Sequence, residues 1–220
     1  QENIFWLTGF WGSFGVFIQT KKGEKFLITD GRYIERVKKL AEKNKFTPVL
    51  LTAEKETEIS KIIPASQTRF LLEDSISFRK KNWCQKIFPA LKFSVKKDVL
   101  ENLRTQKTET EIAKIKKAQT QVDSILIPFL KTNLKKNITE KELAFQLEMT
   151  LRDHGKFALS FPIIVAFGEN SAIPHHESSN QKLKNGDNIL IDCGLKWEHF
   201  CSDMTRNFVF GTPNSEYVKH

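Results

Sequence analysis

The chain has 220 residues, of which 40% are hydrophobic and 18 are Phe, enough for one large domain or two small ones with a real core. Its formal net charge is +9, but the lysines lie in short scattered pairs such as Lys21-Lys22, Lys80-Lys81 and Lys135-Lys136, so they read as solvated surface and no nucleic-acid partner is expected. No apolar run approaches the ~20 residues of a membrane span, which argues against a membrane partner.

The chain begins Gln-Glu-Asn and carries no signal-peptide pattern. Its cysteines, Cys84, Cys193 and Cys201, are odd in number and scattered, which argues against a disulfide framework and for a reducing compartment. The expected location is cytoplasmic, or the chain is trimmed. Cys193 and Cys201 lie across the hairpin expected over Asn188 to Phe210, where a bond between them is compatible with the sequence.

In chain order, Ile4 to Leu7 lead into the glycine-rich run Thr8 to Gly15, whose three glycines mark a tight loop between strands. Val16-Phe17-Ile18 and Lys25 to Thr29 are strands, separated by a turn at Lys21 to Glu24. A helix is expected over 33–44, with Val37, Leu40 and Ala41 on one face. Val49 to Leu51 is a short strand, 54–63 a helix, Arg69 to Leu72 a strand, Ser77 to Phe88 a helix and Leu91 to Val95 a strand. Alternating strands and helices make residues 1–96 an α/β domain. Asp30 and Arg32 could pair with each other or with a partner, and a structural role is the reading favoured.

Residues 96–108 are the boundary stretch, and 97–220 a second domain. Thr108 with Glu111 forms a capping box that opens a helix to about Asn133. Its apolar stripe is Ile112, Ile115, Ala118, Val122, Ile125, Leu126 and Phe129, and Pro128 should kink it near its end. Thr139 with Glu142 caps the next helix, whose buried side is Leu143, Leu147 and Leu151 and whose stop is Gly155. A strand over 161–166, a loop over 167–172, the run Ile173 to Glu177 as extended chain, and a turn at Lys184 to Asp187 then lead to Asn188.

Asn188 to Phe210 reads as a β-hairpin with an acid on each arm. With the turn centred on Trp197-Glu198, Asp192 falls opposite Asp203 and Leu190 opposite Thr205. Like charges directly opposed across strands are destabilising. A cation shared by the two acids would explain them, and so would one Asp capping the turn with the other in water. His175, His176 and Glu177 lie nearby in sequence, and an acid-rich set with some imidazole suits manganese, cobalt, iron or zinc. Adjacent residues of an extended strand point to opposite sides, so at most one of His175 and His176 should face such a site.

These segments resemble the creatinase / aminopeptidase P / prolidase family, the pita-bread metallopeptidases. FWLTGFWGSFGVFI and FLITDGRYIERV are similar to the family's non-catalytic N-terminal domain. LRTQKTETEIAKIKKA resembles the helix that opens the catalytic domain, and SFPIIVAFGENSAIPHH, GDNILIDCG and CSDMTRNFVFG resemble its metal and substrate segments. The resemblance implies a creatinase-like α/β domain followed by the first half of an α+β pita-bread domain. It implies removal of the N-terminal residue from Xaa-Pro peptides by a water activated between two divalent ions, manganese first, with cobalt, zinc or iron as alternatives.

By the same resemblance Asp192 and Asp203 are metal ligands, the second bridging. His175 contacts substrate near the scissile carbonyl, and Thr205 supports the bridging Asp. The expected partners are a proline-containing peptide and a second copy of the chain. The family's remaining ligands, a His and two Glu, have no counterpart here; neither Glu216 nor His220 sits in a matching motif. The chain therefore reads as a fragment, inactive by itself, of an active peptidase. An Xaa-Pro dipeptidase is the close alternative, and creatine hydrolysis has no distinguishing feature. A pita-bread module that binds without catalysis is the alternative of another class.

Overall fold

The computed structural model describes residues 1–52, 59, 62–63 and 68–213. The chain forms two compact units, Gln1–Gln106 and Lys107–His220. The helix expected over 54–63 lies outside the described residues.

The first unit opens with α1 (Glu2–Thr8). Ile4 to Leu7, taken from the sequence as the approach to a loop between strands, is therefore helical. Thr8 donates its hydroxyl to the Ile4 carbonyl at 2.6 Å, and Gly9 ends the helix in the left-handed conformation at φ 72°. Strands β1 (Val16–Gln19), β2 (Lys25–Thr29) and β3 (Thr47–Leu50) form one sheet, antiparallel between β1 and β2 and parallel between β2 and β3. Helix α2 (Ile34–Asn44) packs on β3.

Alternate residues of β2 enter different cores, as the two-residue period of a strand requires. Leu27 joins Phe10, Val37 and Phe46, whereas Ile28 joins Ile18, Ile87 and Phe88. Strands β4 (Arg69–Glu73) and β5 (Lys92–Lys96) pair in parallel around α3 (Phe78–Ile87). Helix α4 (Val99–Thr105), for which the sequence shows no strong cap, completes the unit. Arg32 grips Asp30 through Nε at 3.1 Å and a terminal nitrogen at 2.8 Å, so these two pair with each other as expected.

The second unit begins with two long helices, α5 (Glu109–Asn133) and α6 (Glu140–Arg152), each opened by a complete capping box at Thr108 and Thr139. Pro128 lies inside α5, and the helix continues past it to Asn133. Val122, Leu126, Phe129, Leu143, Leu147 and Leu151 form one core with Val165, Phe167, Ile189, Ile191 and Cys193. Those strand residues come from β7 (Ile164–Phe167) and β8 (Asn188–Cys193), which pair antiparallel; β11 (Met204–Val209) flanks β8 on its other side. Beyond this sheet, β9 (Leu195–Trp197) pairs with β10 (Phe200–Cys201) and with β6 (Ala158–Leu159).

The hairpin is present, but its register differs from the expected one. Cys193 faces Met204, Asp192 faces Thr205 and Leu190 faces Asn207. Trp197 pairs with Phe200, so the tight turn is Glu198-His199, with φ of 47° and 71°. Two successive positive φ values mark the turn type whose twist matches a hairpin. The turn centre sits one residue later than Trp197-Glu198, which moves every cross-strand partner by two. Cys193 and Cys201 are not bonded; both thiols are free, and burial pushes that of Cys193 up to about 12.

Gly194 lies where the hairpin passes from one sheet to the other. A Cβ there would overlap the Ser202 carbonyl oxygen and touch Ser160. Backbone cannot yield as a flexible side chain does, so Gly194→Ala should cost about 1–3 kcal/mol. Denaturant melts of wild type and Gly194→Ala test this. Unchanged stability would mean the two arms separate freely at this point.

Candidate metal and substrate site

Strand β8 alternates along its length: Ile189, Ile191 and Cys193 are buried against the helices, while Asn188, Leu190 and Asp192 occupy the other face. Asp203 falls between Ser202, whose amide donates to Leu195, and Met204, which faces Cys193. That places it across from Gly194 and diagonal to Asp192. Moving a partner by two preserves the face, because the side-chain period is two. The two acids therefore share one face although they are not directly opposed. Diagonal neighbours remain within reach of longer interactions.

Asp192 is the electrostatic centre of this face. Removal from water pushes its carboxyl above the usual range; a hydrogen bond from Thr205 pulls it down, the charge of Asp203 pushes it up and His175 pulls it down. Its Oδ1 is buried and has no hydrogen-bond partner. A buried acceptor without a donor carries a desolvation cost. Thr205, Asp203 and His175 are thus all near enough to Asp192 to act on it.

His175 and His176 do not lie on an extended strand. The segment is a turn, and His175 is held at φ 53°. The two rings still go different ways: His175 is exposed near Asp192, and Nε2 of His176 lies 2.8 Å from Glu140. Glu177, within the sequence constellation, is exposed.

Glu140 is the residue that sequence reading passed over. It is fully buried at the first position of α6. One oxygen accepts from the Phe167 amide at 2.7 Å and the Asn170 side chain at 2.9 Å. The other accepts from His176 at 2.8 Å and from the Ser179 amide and hydroxyl, both at 2.7 Å. Burial alone would raise its carboxyl, but the hydrogen bonds from His176, Asn170, Phe167 and Ser179 outweigh it and hold the group below the usual range. Its only mark in the sequence is an acid one residue after the Thr139 cap, a place that helix geometry already favours.

Two family models match the chain: "Creatinase/Prolidase N-terminal domain" over residues 1–106 and "Metallopeptidase family M24" over 113–220. The second half of the chain belongs to metallopeptidase family M24. It is 30% identical, over 97% of its length, to an uncharacterized peptidase of Staphylococcus epidermidis, and covers 61% of that protein. The fold is similar to that of an Xaa-Pro dipeptidase from Bacillus anthracis, with TM-score 0.88 and 28% identity, over 100% of this chain and 61% of that one. It is also similar to an X-Pro aminopeptidase from Thermotoga maritima, with TM-score 0.86 and 29% identity, over 99% of this chain and 61% of that one. The chain thus spans about three-fifths of these relatives' length. Both halves of the fold expected from the sequence, creatinase-like α/β and part of an M24 pita-bread domain, are present.

The donors on this face fit a divalent ion in part. Carboxylate oxygens suit hard and borderline ions, and the Oδ1 of Asp192 is a buried acceptor with no donor of its own. Among the described residues, however, a group of three donor residues close enough to hold an ion occurs only at Asp74, Asp98 and Glu101, in the first unit. Asp192 and Asp203 by themselves offer two donor residues, fewer than such a group.

The sign of the Asp192 effect gives a pH test. Its folded value lies above the ordinary 3.8, so its contribution favours the fold below that value and is lost as pH rises through the folded value. In metal-free protein Asp192→Asn should therefore melt no lower than wild type at pH 7. The difference should shrink as pH falls below 3.8. Melting curves across pH measure it, and a variant destabilised at pH 7 but not at pH 3 would contradict the assignment.

Proposed function

We propose that the protein carrying this chain is a metal-dependent exopeptidase acting on Xaa-Pro peptides, an aminopeptidase first and a dipeptidase as the close alternative. The observation that carries the reading is the Asp192 carboxylate, desolvated and short of a donor beside Asp203 and His175. The relatives named dipeptidase and X-Pro aminopeptidase support the substrate class.

Asp192 and Asp203 would be ligands to divalent ions, manganese first, which when bound would supply an activated water and polarise the scissile carbonyl. Thr205 faces Asp192 across the strands and would hold the carboxylate's orientation through its hydroxyl. His175, exposed and near enough to Asp192 to act on its charge, would contact the peptide near the carbonyl and stabilise charge that develops there. Further ligands would come from outside the described residues. Location in the cytoplasm and pairing into a homodimer belong to the same proposal; no described helix is long and apolar enough to cross a membrane.

The test uses the full-length protein. Metal content and turnover of Xaa-Pro and Xaa-Pro-Xaa peptides should fall together in Asp192→Asn and Asp203→Asn, with kcat/KM down by at least about 1000-fold, roughly 4 kcal/mol of barrier. Preference for Xaa-Pro-Xaa marks an aminopeptidase and preference for Xaa-Pro a dipeptidase. Retained metal and turnover in both variants would refute the ligand assignment. Absence of metal and of cleavage in the wild type would favour a binding module.

A further inference from the structure

We infer that Glu140 is a positioning residue for His175, clamping both ends of the segment that carries it; this rests on the role proposed for His175. The two oxygens of Glu140 divide their work by position in the chain. Oε1 takes Phe167 and Asn170, at the start of the connection between β7 and β8. Oε2 takes His176 and Ser179, on the far side of His175.

Neighbouring bonds close the same loop. The Glu140 amide donates to Gln181 and the Lys141 amide to Ser179, both at 3.1 Å, while Ser178 bridges both backbone groups of Val165 at 2.9 and 3.0 Å. His175 stands between the clamped ends in a left-handed conformation that a β-unbranched residue adopts only at a cost. A conformation of this kind persists where its surroundings over-determine it, and the clamp supplies that. The loop would otherwise be free to carry His175 away from Asp192.

Only a carboxylate serves. A glutamine has one acceptor and one donor, so its amide nitrogen would confront either the Phe167 amide and Asn170 or the Ser179 amide and hydroxyl. One end of the loop must then come free. Glu140 sits behind the loop and needs no contact with substrate, which separates it from a catalytic residue.

The experiment is a double-mutant cycle in the metal-loaded full-length protein on an Xaa-Pro peptide, joined to hydrogen exchange of the loop amides. E140Q should lower kcat/KM by about 100-fold, as for a displacement of about 1 Å, mainly through kcat. In the His175→Ala background it should add almost nothing, since the two changes act through one group. Exchange should accelerate across residues 167–179 in E140Q, while α5 keeps its protection and metal content stays at the wild-type level.

Multiplying losses in the double variant, an active His175→Ala protein, or unchanged exchange in E140Q would each overturn the inference. Should E140Q not fold, Asn170→Ala and Ser179→Ala each remove donors at one end and leave the charge, with a several-fold loss and the same non-additivity expected. A wild type that cleaves no Xaa-Pro peptide overturns the proposed function instead, and loop exchange then decides whether the clamp exists.

Discussion

Two carboxylates in the second unit are withdrawn from water, and the difference between them organises the site. Glu140 is surrounded by donors, and its charge is more stable in the fold than in water. Asp192 has one oxygen without a partner and a charged neighbour in Asp203, and its charge is less stable in the fold. The same functional group is used once as a filled structural node and once as an incomplete one. Burial costs a charge heavily unless it is paired or coordinated, so the unfilled carboxylate is the one that asks for a ligand.

The fold places both groups through strand and helix periodicity. Alternation along β8 sends Ile189, Ile191 and Cys193 into the core with α5 and α6, which leaves Asp192 on the opposite face. The capping box at Thr139 sets the first turn of α6 and so delivers Glu140 to the base of the loop after β7. Gly194 lets the hairpin arms approach where the two sheets meet, just across from Asp203. The core, the caps and the close crossing thus converge on a few side chains of the open face.

Much of this could be read from residue order. The capping boxes, the apolar stripe of α5, the Leu143, Leu147 and Leu151 seam and the shared face of Asp192 and Asp203 all follow from local periods. The turn did not, because Glu198-His199 takes a conformation usually signalled by Asn or Gly. The pairing moved by two, and parity spared the conclusion about the face. The helix at Ile4 to Leu7 was hidden because its residues are apolar and its stop, Gly9, lies inside a glycine-rich run. Glu140 was invisible as a node because its partners, Phe167, Asn170, His176 and Ser179, are far away in sequence and two of the contacts are backbone amides.

The proposed site depends on Asp192 being a desolvated acid that a cation relieves. Carbon-13 NMR of its side-chain carboxyl, titrated with pH in the metal-free chain and again with saturating zinc, reads this directly. The expected result is an Asp192 titration above the ordinary aspartate value without metal and well below it with zinc. A carboxyl that titrates at the ordinary value and ignores the ion would contradict it.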